Sequence, residues 1–208
     1  MSASTKPTKD RIVETTERLF RRQGFNGTGL KQIVAEANAP FGSLYHFFPG
    51  GKEQLGTEVI RSSGLMYQQL VEGIFDAAGD VLAGIRDCFD GAAEVLRATD
   101  YEDACPIETV ALEVASTNET LRGACAEVFE SWIASASTRL QLAGVEKARS
   151  RELAIFMISA LEGAFVLARG MRDARPVEIA GEHVARVVAE ALGAAKRRRA
   201  TTRPRGRR

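Results

Sequence analysis

The chain contains little of what most catalytic and metal sites need. Its 208 residues include two histidines, His46 and His183, and three widely spaced cysteines, Cys88, Cys105 and Cys125. This odd number argues against a disulfide framework or a four-ligand zinc site, so we interpret the cysteines as small buried hydrophobic residues. No serine or cysteine lies beside a base in a motif that would activate it as a nucleophile. We therefore expect no enzyme activity, no metal and no cofactor.

Long hydrophobic runs and strand patterns are also missing. No stretch approaches the roughly 18 consecutive apolar residues of a membrane span. The beginning of the chain, MSASTKPTKDR, has no apolar segment of the kind found in secretion signals, so we expect a cytoplasmic protein. No segment alternates apolar and polar residues with the period of a β-strand, whereas apolar residues recur at helical spacing throughout. An all-α fold is predicted.

Charge is unevenly distributed along the chain. The net charge of +1 combines +4 from residues 1–52, −11 from residues 53–195 and +8 from residues 196–208. The last segment, KRRRATTRPRGRR, has no apolar residue beyond alanine, so we expect a disordered basic tail. Both ends of the chain, but not its middle, are suited to a polyanion such as nucleic acid.

Three short helices are predicted near the beginning of the chain. The first begins at Thr8, which we expect to cap it, and ends at Gly24. The second opens at Thr28 or Gly29, and after a tight turn the third begins at Pro40. Two short helices joined by a tight turn form a helix-turn-helix, whose second helix lies in the DNA major groove with its first residues at base edges.

Longer helices follow this head. Pro49-Gly50-Gly51 ends the third helix, and Lys52 begins a long helix that reaches about Phe75. The remaining helices are predicted at about 80–98, 106–116, 118–142, 150–170 and 177–195. The arrangement indicates a small head joined to a larger helical body.

The aromatic-rich segment FGSLYHFFPGGK at 41–52 fits the second helix of a helix-turn-helix. Leu44 and Phe48 are four residues apart, so we expect both to face the core. Tyr45 and His46 then point elsewhere, toward phosphates or bases, to which a hydroxyl and an imidazole donate hydrogen bonds. For Tyr45, a plain surface aromatic is the alternative.

Smaller residues complete this predicted surface. Gly42 and Ser43 let the helix backbone approach the groove and give the serine reach to a base or a phosphate. Lys52 lies at the start of the next helix, where backbone N–H groups already attract an anion, so it strengthens a phosphate clamp. Two residues have alternatives: Phe47 is partly buried or lies at the junction with the body, and Phe41 is an apolar helix-start residue or contacts a thymine methyl group.

The predicted helix at 150–170 is apolar nearly all round. Such a helix is buried on two sides, against its own body and against something else. The helix at 177–195 has a matching apolar stripe, and small residues at 159, 163, 164 and 168 allow close helix approach. Two such helix pairs make a four-helix interface between two copies of the chain.

The body also contains aromatic and apolar residues suited to a ligand pocket, since such sites are mostly apolar with few polar anchors. For each of them, core packing is the alternative role. Tyr101 and Trp132 stand out because each has a polar group that a buried site must satisfy. Glu162 either anchors a ligand donor or pairs with a neighbouring arginine. The candidates are Met66, Phe89, Tyr101, Cys105, Leu112, Phe129, Trp132, Phe156 and Leu161.

The sequence resembles the DNA-binding domain of TetR-family transcriptional regulators over about residues 8–60. The resemblance rests on Phe20, Gly24-Phe25, Thr28, IVAEA at 33–37, GSLYHFF at 42–48 and KEQL at 52–55. The extra glycine of PGGK is similar to the LmrA/YxaF-type subgroup. So are several segments of the body, namely ACPI at 104–107, ALE at 111–113, Trp132 and ALEGA at 160–164.

This resemblance implies a homodimer that represses by occupying a DNA operator and leaves it when a small apolar or aromatic inducer binds in the body. It implies a helix-turn-helix DNA-binding domain at 1–52 and a helical ligand-binding and dimerisation domain at 53–195, and the disordered basic tail at 196–208 follows them. Phe41 and Phe47 depart from the family, which usually has a polar or basic residue at the first position and histidine or tyrosine at the second. By position, the DNA-contacting candidates are Thr28, Lys31, Gly42, Ser43, Tyr45, His46 and Lys52.

Two other functions compete with this one. An enzyme is disfavoured by the scarcity of histidine, and Gly50-Gly51-Lys52 is no phosphate loop, since glutamate follows it and the preceding glycine spacing is wrong. A nonspecific nucleic-acid-binding or packaging protein is suggested by the tail. That function predicts binding with little sequence preference and a steep dependence on salt.

Overall fold

The computed structural model describes the backbone of residues 6–202 and the side chains of residues 6–195. Within that range all regular elements are α-helices, which confirms the predicted fold class. They are α1 (Thr8–Gln23), α2 (Leu30–Glu36), α3 (Phe41–Phe47), α4 (Gly51–Ala77), α5 (Val81–Ala98), α6 (Pro106–Val114), α7 (Glu119–Leu142), α8 (Lys147–Met171) and α9 (Arg175–Thr202).

Most helix ends lie at or beside the predicted turn residues. Gly24 ends α1 with a φ of 72°, and its N–H donates to the Phe20 carbonyl oxygen. Gly29, one of the two residues predicted there, directly precedes α2. The predicted Thr8 cap is wrong, because Thr8 is already helical, Pro7 holds the cap position and no side chain caps α1.

Two helices extend past a predicted end by three residues or more. α8 begins before residue 150 because the Glu146 carboxylate accepts hydrogen bonds from the N–H groups of Ala148 and Arg149, at 3.0 and 3.1 Å. α9 continues past 195 to Thr202, so its backbone is helical through part of the tail that was expected to be disordered. Residues 203–208 of that tail lie outside the described residues.

The chain divides into two compact units, and the first comprises residues 1–67 and 102–129. It contains α1, α2, α3, α6 and the beginnings of α4 and α7. Leu44 and Phe48, predicted to face inward, are completely buried, which confirms that prediction. Phe20 and Phe25 pack edge to face, with ring centroids 5.7 Å apart. Other fully buried residues of this unit are Ile12, Ile33, Leu55, Ile60, Ile107 and Leu121.

The second unit comprises residues 68–101 and 130–208. Its core lies where α5 and α8 pack against α9. Gly181 allows a close approach of α9 to α5, because a Cβ at that position would lie 2.6 Å from the Cβ of Phe89. The core residues include Ile85, Phe89, Leu96, Leu153, Met157, Val177, Val184 and Val188.

α8 presents apolar residues both to the core and to solvent. Leu153 and Met157 are buried in the second unit. Among the described helices, α8 alone is long and apolar enough, by length and composition only, to cross a membrane. A helix covered on two sides within a protein assembly has the same composition. The exposed apolar residues of this helix are Ile155, Phe156, Val166, Leu167 and Met171.

Candidate nucleic-acid interface

The turn between α2 and α3 is held by one side chain of α1. Asn38 adopts a left-handed backbone conformation with a φ of 48°, and the Ala39 N–H donates to the Val34 carbonyl oxygen at 2.9 Å. The Arg11 guanidinium donates from Nε to the Ala37 carbonyl oxygen and from Nη2 to that of Asn38, both at 3.0 Å. A planar fork of donors suits two successive carbonyls. Arg11 therefore fixes the turn from which α3 begins.

α3 is anchored on one side and open to solvent on the other. Leu44 is completely buried, whereas the Tyr45 side chain is 48% exposed and His46 is also exposed. Gly42 is exposed, with no atom within 4 Å of the place where a Cβ would lie. Ser43 is half-buried and its N–H donates to the Pro40 carbonyl oxygen at 2.9 Å. Four of the predicted DNA-contact residues thus lie together on one short helix.

Thr28 differs from the other DNA-contact candidates because it is completely buried. Its Oγ1 donates to the Gly24 carbonyl oxygen at 2.6 Å and accepts a bond from Gln23 Nε2 at 3.3 Å. The hydroxyl therefore closes the α1–α2 turn and does not reach solvent. The structure does not support the predicted contact between this side chain and DNA, and we interpret Thr28 as a positioning residue.

The two lysines among the candidates have different surroundings. Lys31 is exposed on α2. Lys52 is half-buried near the start of α4, and its Nζ lies 4.3 Å from the centroid of the Phe25 ring. Burial lowers the pKa of Lys52, and the nearby Glu113 carboxylate opposes this effect. Lys31 presents its charge freely to an approaching polyanion, whereas Lys52 holds its charge against the α1–α2 turn.

The two unusual phenylalanines of the 41–52 segment have opposite environments. Phe47 is half-buried, and its ring centroid lies 4.9 Å from that of His46 and 6.5 Å from that of Phe48. This environment agrees with the partly buried alternative for Phe47. Phe41 is 45% exposed, and its ring centroid lies 5.8 Å from that of Tyr45.

Sequence reasoning missed two residues that position this surface. The carbonyl partners of Arg11 lie 26 and 27 residues away in the chain. Glu113 on α6 accepts a hydrogen bond at 2.8 Å from the N–H of Asn26, which lies 87 residues away. For Arg11 the one available signal was the excess of basic residues in 1–52. That excess does not tell whether a given arginine contacts DNA or forms an internal hydrogen bond.

The predicted ligand-binding residues are divided between the two units. In the second unit Phe89 lies in the apolar core, Tyr101 and Leu161 pack against that core, Trp132 is half-buried and Phe156 is exposed. The structure therefore brings Phe89, Tyr101 and Leu161 together in one cluster. An exposed side chain such as Phe156 does not line an enclosed pocket in this conformation.

Four ligand candidates lie in the first unit. Cys105 is buried at the start of α6 and Phe129 is half-buried, whereas Met66 is exposed. Leu112 on α6 is 74% exposed. Neither Met66 nor Leu112 lines an enclosed pocket in this conformation.

An open cleft of about 670 Å³ lies in the first unit along the beginning of α4. Most of the residues that line it are of polar types, including Glu53, Glu58 and Arg61, and none of them is a predicted ligand residue. The cleft is therefore not the pocket that the sequence predicts. Among the side chains that the structure describes, no group of three or more His, Cys, Asp or Glu residues is arranged to hold a metal ion.

Known protein families match most of the chain. Residues 12–59 match the family described as bacterial regulatory proteins, tetR family. Residues 81–183 match the family described as transcriptional regulator LmrA/YxaF-like, C-terminal domain. These two segments cover both the helix-turn-helix and most of the body, and they confirm the resemblance seen in the sequence.

Individual relatives agree with these family matches. The HTH-type transcriptional regulator YxaF of Bacillus subtilis is 34% identical over 176 residues, which cover 85% of this chain and 92% of YxaF. LmrA of the same organism is 31% identical over 169 residues, 81% of this chain and 90% of LmrA. The crystal structure of a TetR regulator from Legionella pneumophila has the same fold, with a TM-score of 0.79 at 24% identity over 89% of this chain and 99% of that one. The chain therefore belongs to the TetR family of DNA-binding bacterial transcriptional regulators, with a body of the LmrA/YxaF type.

Proposed function

We propose that the protein is a cytoplasmic repressor that binds its operator as a homodimer and is released by a small apolar or aromatic molecule. It acts by occupying DNA and has no catalytic role. The observation that carries the proposal is the exposed surface of α3, where Tyr45 and His46 face solvent while Leu44 anchors the helix. A hydroxyl and an imidazole on the second helix of a helix-turn-helix are suited to phosphates and base edges.

The DNA contact set that we propose follows from exposure. Gly42, Ser43, Tyr45 and His46 lie on α3, and Lys31 is exposed on α2. Lys52 contributes positive charge beside the α1–α2 turn, where its ammonium lies against the Phe25 ring. Thr28 belongs to the set only as a positioning residue, because its side chain is buried.

The homodimer is supported by the exposed apolar face of α8. Its exposed apolar side chains, Phe156 and Leu167 among them, are left open to solvent in one copy of the chain. A contiguous exposed apolar surface is characteristic of a protein–protein interface. Pairing of α8 and α9 with their counterparts in a second copy covers this face by two-fold symmetry. The two copies of α3 then read half-sites about 34–36 Å apart.

The inducer site is proposed in the apolar cluster that contains Phe89, Tyr101 and Leu161. These residues combine large apolar area with one phenolic hydroxyl, as small-molecule sites do. α4 is one continuous helix with residues in both compact units. A ligand that displaces the end of α4 therefore acts on the same helix that follows the DNA-reading head. A preference of a few kcal/mol for the displaced state is enough to reverse operator occupancy.

The test is selection of genomic fragments by the purified full-length protein, followed by footprinting of the best fragment at near-physiological salt. A protected inverted repeat is the expected result, and the neighbouring gene then narrows the search for inducers. Substitution of Tyr45 by phenylalanine and of His46 by alanine should each weaken this binding. Equal binding to every fragment would overturn the proposal.

A nonspecific packaging role is the second candidate, and the basic segment 196–208 favours it. Its eight basic residues and lack of acidic ones give affinity for any nucleic acid. In a sequence-specific repressor, deletion of 196–208 lowers affinity for all DNA alike and leaves the preference for the operator unchanged. In a packaging protein the same deletion abolishes most binding. The full-length packaging protein would also show no preference for any DNA fragment.

A further inference from the structure

Two aromatic rings stand side by side on the exposed surface of α3. Phe41 is the first residue of the helix and Tyr45 lies one turn later, so their side chains share a face. The ring centroids are 5.8 Å apart with an interplanar angle of 59°, and the two residues are 45% and 48% exposed. The pair is therefore built into the helix and is left half-exposed by the described part of the chain.

The surroundings of the pair leave the Phe41 ring accessible. The next residue, Gly42, has no side chain, and a Cβ there would meet no atom within 4 Å. Tyr45 packs against the Phe41 ring, which remains 45% exposed. An object that approaches the Phe41 side chain thus meets the exposed part of a phenyl ring.

The chemistry of the ring limits what it can recognise on DNA. A phenyl group neither donates nor accepts a normal hydrogen bond, so it does not bind a phosphate or a polar base edge. Among the groups that base pairs present in the major groove, the C5-methyl group of thymine is the apolar one. Contact between that methyl group and an apolar side chain removes both from water, which is favourable.

We propose that Phe41 is a specificity-determining residue that reads the C5-methyl group of one thymine in each operator half-site. Tyr45 holds the phenyl ring in place through their tilted ring contact and directs its own hydroxyl to the DNA backbone. This inference rests on the proposed function, because it takes α3 as the helix that lies in the major groove. It adds the identity of one recognised chemical group.

The test uses the operator fragment obtained by footprinting. Each thymine of the half-site is replaced in turn by deoxyuridine, which keeps every hydrogen-bonding group and removes only the methyl group. We expect affinity to fall about three- to tenfold at one position of the half-site. The other thymines should tolerate the replacement.

Phe41→Ala and Phe41→Leu assign the effect to this side chain. With Phe41→Ala the thymine and deoxyuridine operators should bind equally, whereas Phe41→Leu, which keeps an apolar side chain, should retain part of the difference. A variant that merely misfolds weakens binding to both operators by the same factor and preserves their ratio. Far-ultraviolet circular dichroism confirms that both variants fold.

The outcomes separate this inference from the proposed function. If the protein prefers no DNA fragment, the proposed function itself is overturned, and the role of Phe41 falls with it. If an operator is found but no thymine is sensitive to loss of its methyl group, the operator-binding function stands and the role of Phe41 is overturned. The role is also overturned if the deoxyuridine effect persists undiminished in Phe41→Ala.

Discussion

The Glu113 carboxylate on α6 accepts a hydrogen bond from the backbone N–H of Asn26 at 2.8 Å. Asn26 lies in the turn between α1 and α2, so α6 is hydrogen-bonded to the turn that precedes the helix-turn-helix. The same carboxylate lies against Gly24, since a Cβ on that glycine would be 1.8 Å from Oε1. Arg22 extends the connection, because its Nε pairs with Asp103 at 3.1 Å in the segment before α6. The geometry of the DNA-reading head therefore depends on residues far along the chain.

Gly24→Ala should destabilise the protein by about 1–3 kcal/mol. The backbone of Gly24, with φ 72° and ψ −178°, lies in a region that is essentially restricted to glycine. The added methyl group also displaces the Glu113 carboxylate and breaks its bond to Asn26. The free energy of unfolding in urea measures the effect.

Gly123→Ala is the matched control in the same unit. Gly123 lies inside α7, where a Cβ would meet no atom within 4 Å. Alanine favours the helix interior over glycine, so stability should rise by as much as about 1 kcal/mol. Equal behaviour of the two variants would contradict the special role of Gly24.

Arg11→Ala should weaken operator binding by about tenfold and lower stability by about 1–3 kcal/mol. The change leaves the Ala37 and Asn38 carbonyls without their guanidinium donor. The α2–α3 turn then loses the contact that orients α3. Arg11→Lys should recover only part of both losses, because an ammonium group lacks the planar fork. Equilibrium binding to the operator and urea unfolding give the two quantities.

Arg18→Ala removes the same charge from the same helix and is the control for this pair of variants. Arg18 forms an exposed ion pair with Glu36 at 2.8 Å, and such pairs contribute little to stability because water screens them. Its effect on binding should be small. A loss of affinity as large as that of Arg11→Ala would show that α1 acts through charge and not through the turn.

The helices were predictable because their cause is local. The periodic apolar residues and the glycines near 24 and 51 mark where each helix can begin or end, and the inward positions of Leu44 and Phe48 follow from their spacing. The burial of Thr28 was not predictable, since it depends on the carbonyl that Gly24 presents to it. The role of Arg11 required contacts across 26 residues. Local patterns therefore give the exposed part of the interface, and tertiary contacts give the part that positions it.

Thr28→Val tests whether Thr28 positions the turn or contacts DNA. Valine has nearly the same shape, but it lacks the hydroxyl that donates to the Gly24 carbonyl oxygen at 2.6 Å. Stability should fall by about 1–2 kcal/mol, while operator affinity of the folded protein changes little. Unfolding and binding are measured at the same temperature. A strong loss of affinity with normal stability would restore the predicted DNA contact.

Tyr67 should titrate later than an ordinary tyrosine. Burial raises its pKa to about 12, although nearby Arg21 opposes the shift. Because the pKa in the folded protein lies above that of the unfolded chain, the stability linked to the neutral phenol is fully present below about pH 10. It is lost as pH rises through about 12.

The ultraviolet absorbance of tyrosinate, recorded as pH rises while the protein stays folded, should show a separate late phase for Tyr67. That phase should vanish in Tyr67→Phe and persist in Tyr45→Phe, which removes the hydroxyl of an exposed tyrosine instead. A late phase that survives in Tyr67→Phe would show that another group is responsible, and the half-buried phenol of Tyr67 would then have no part in the alkaline loss of stability.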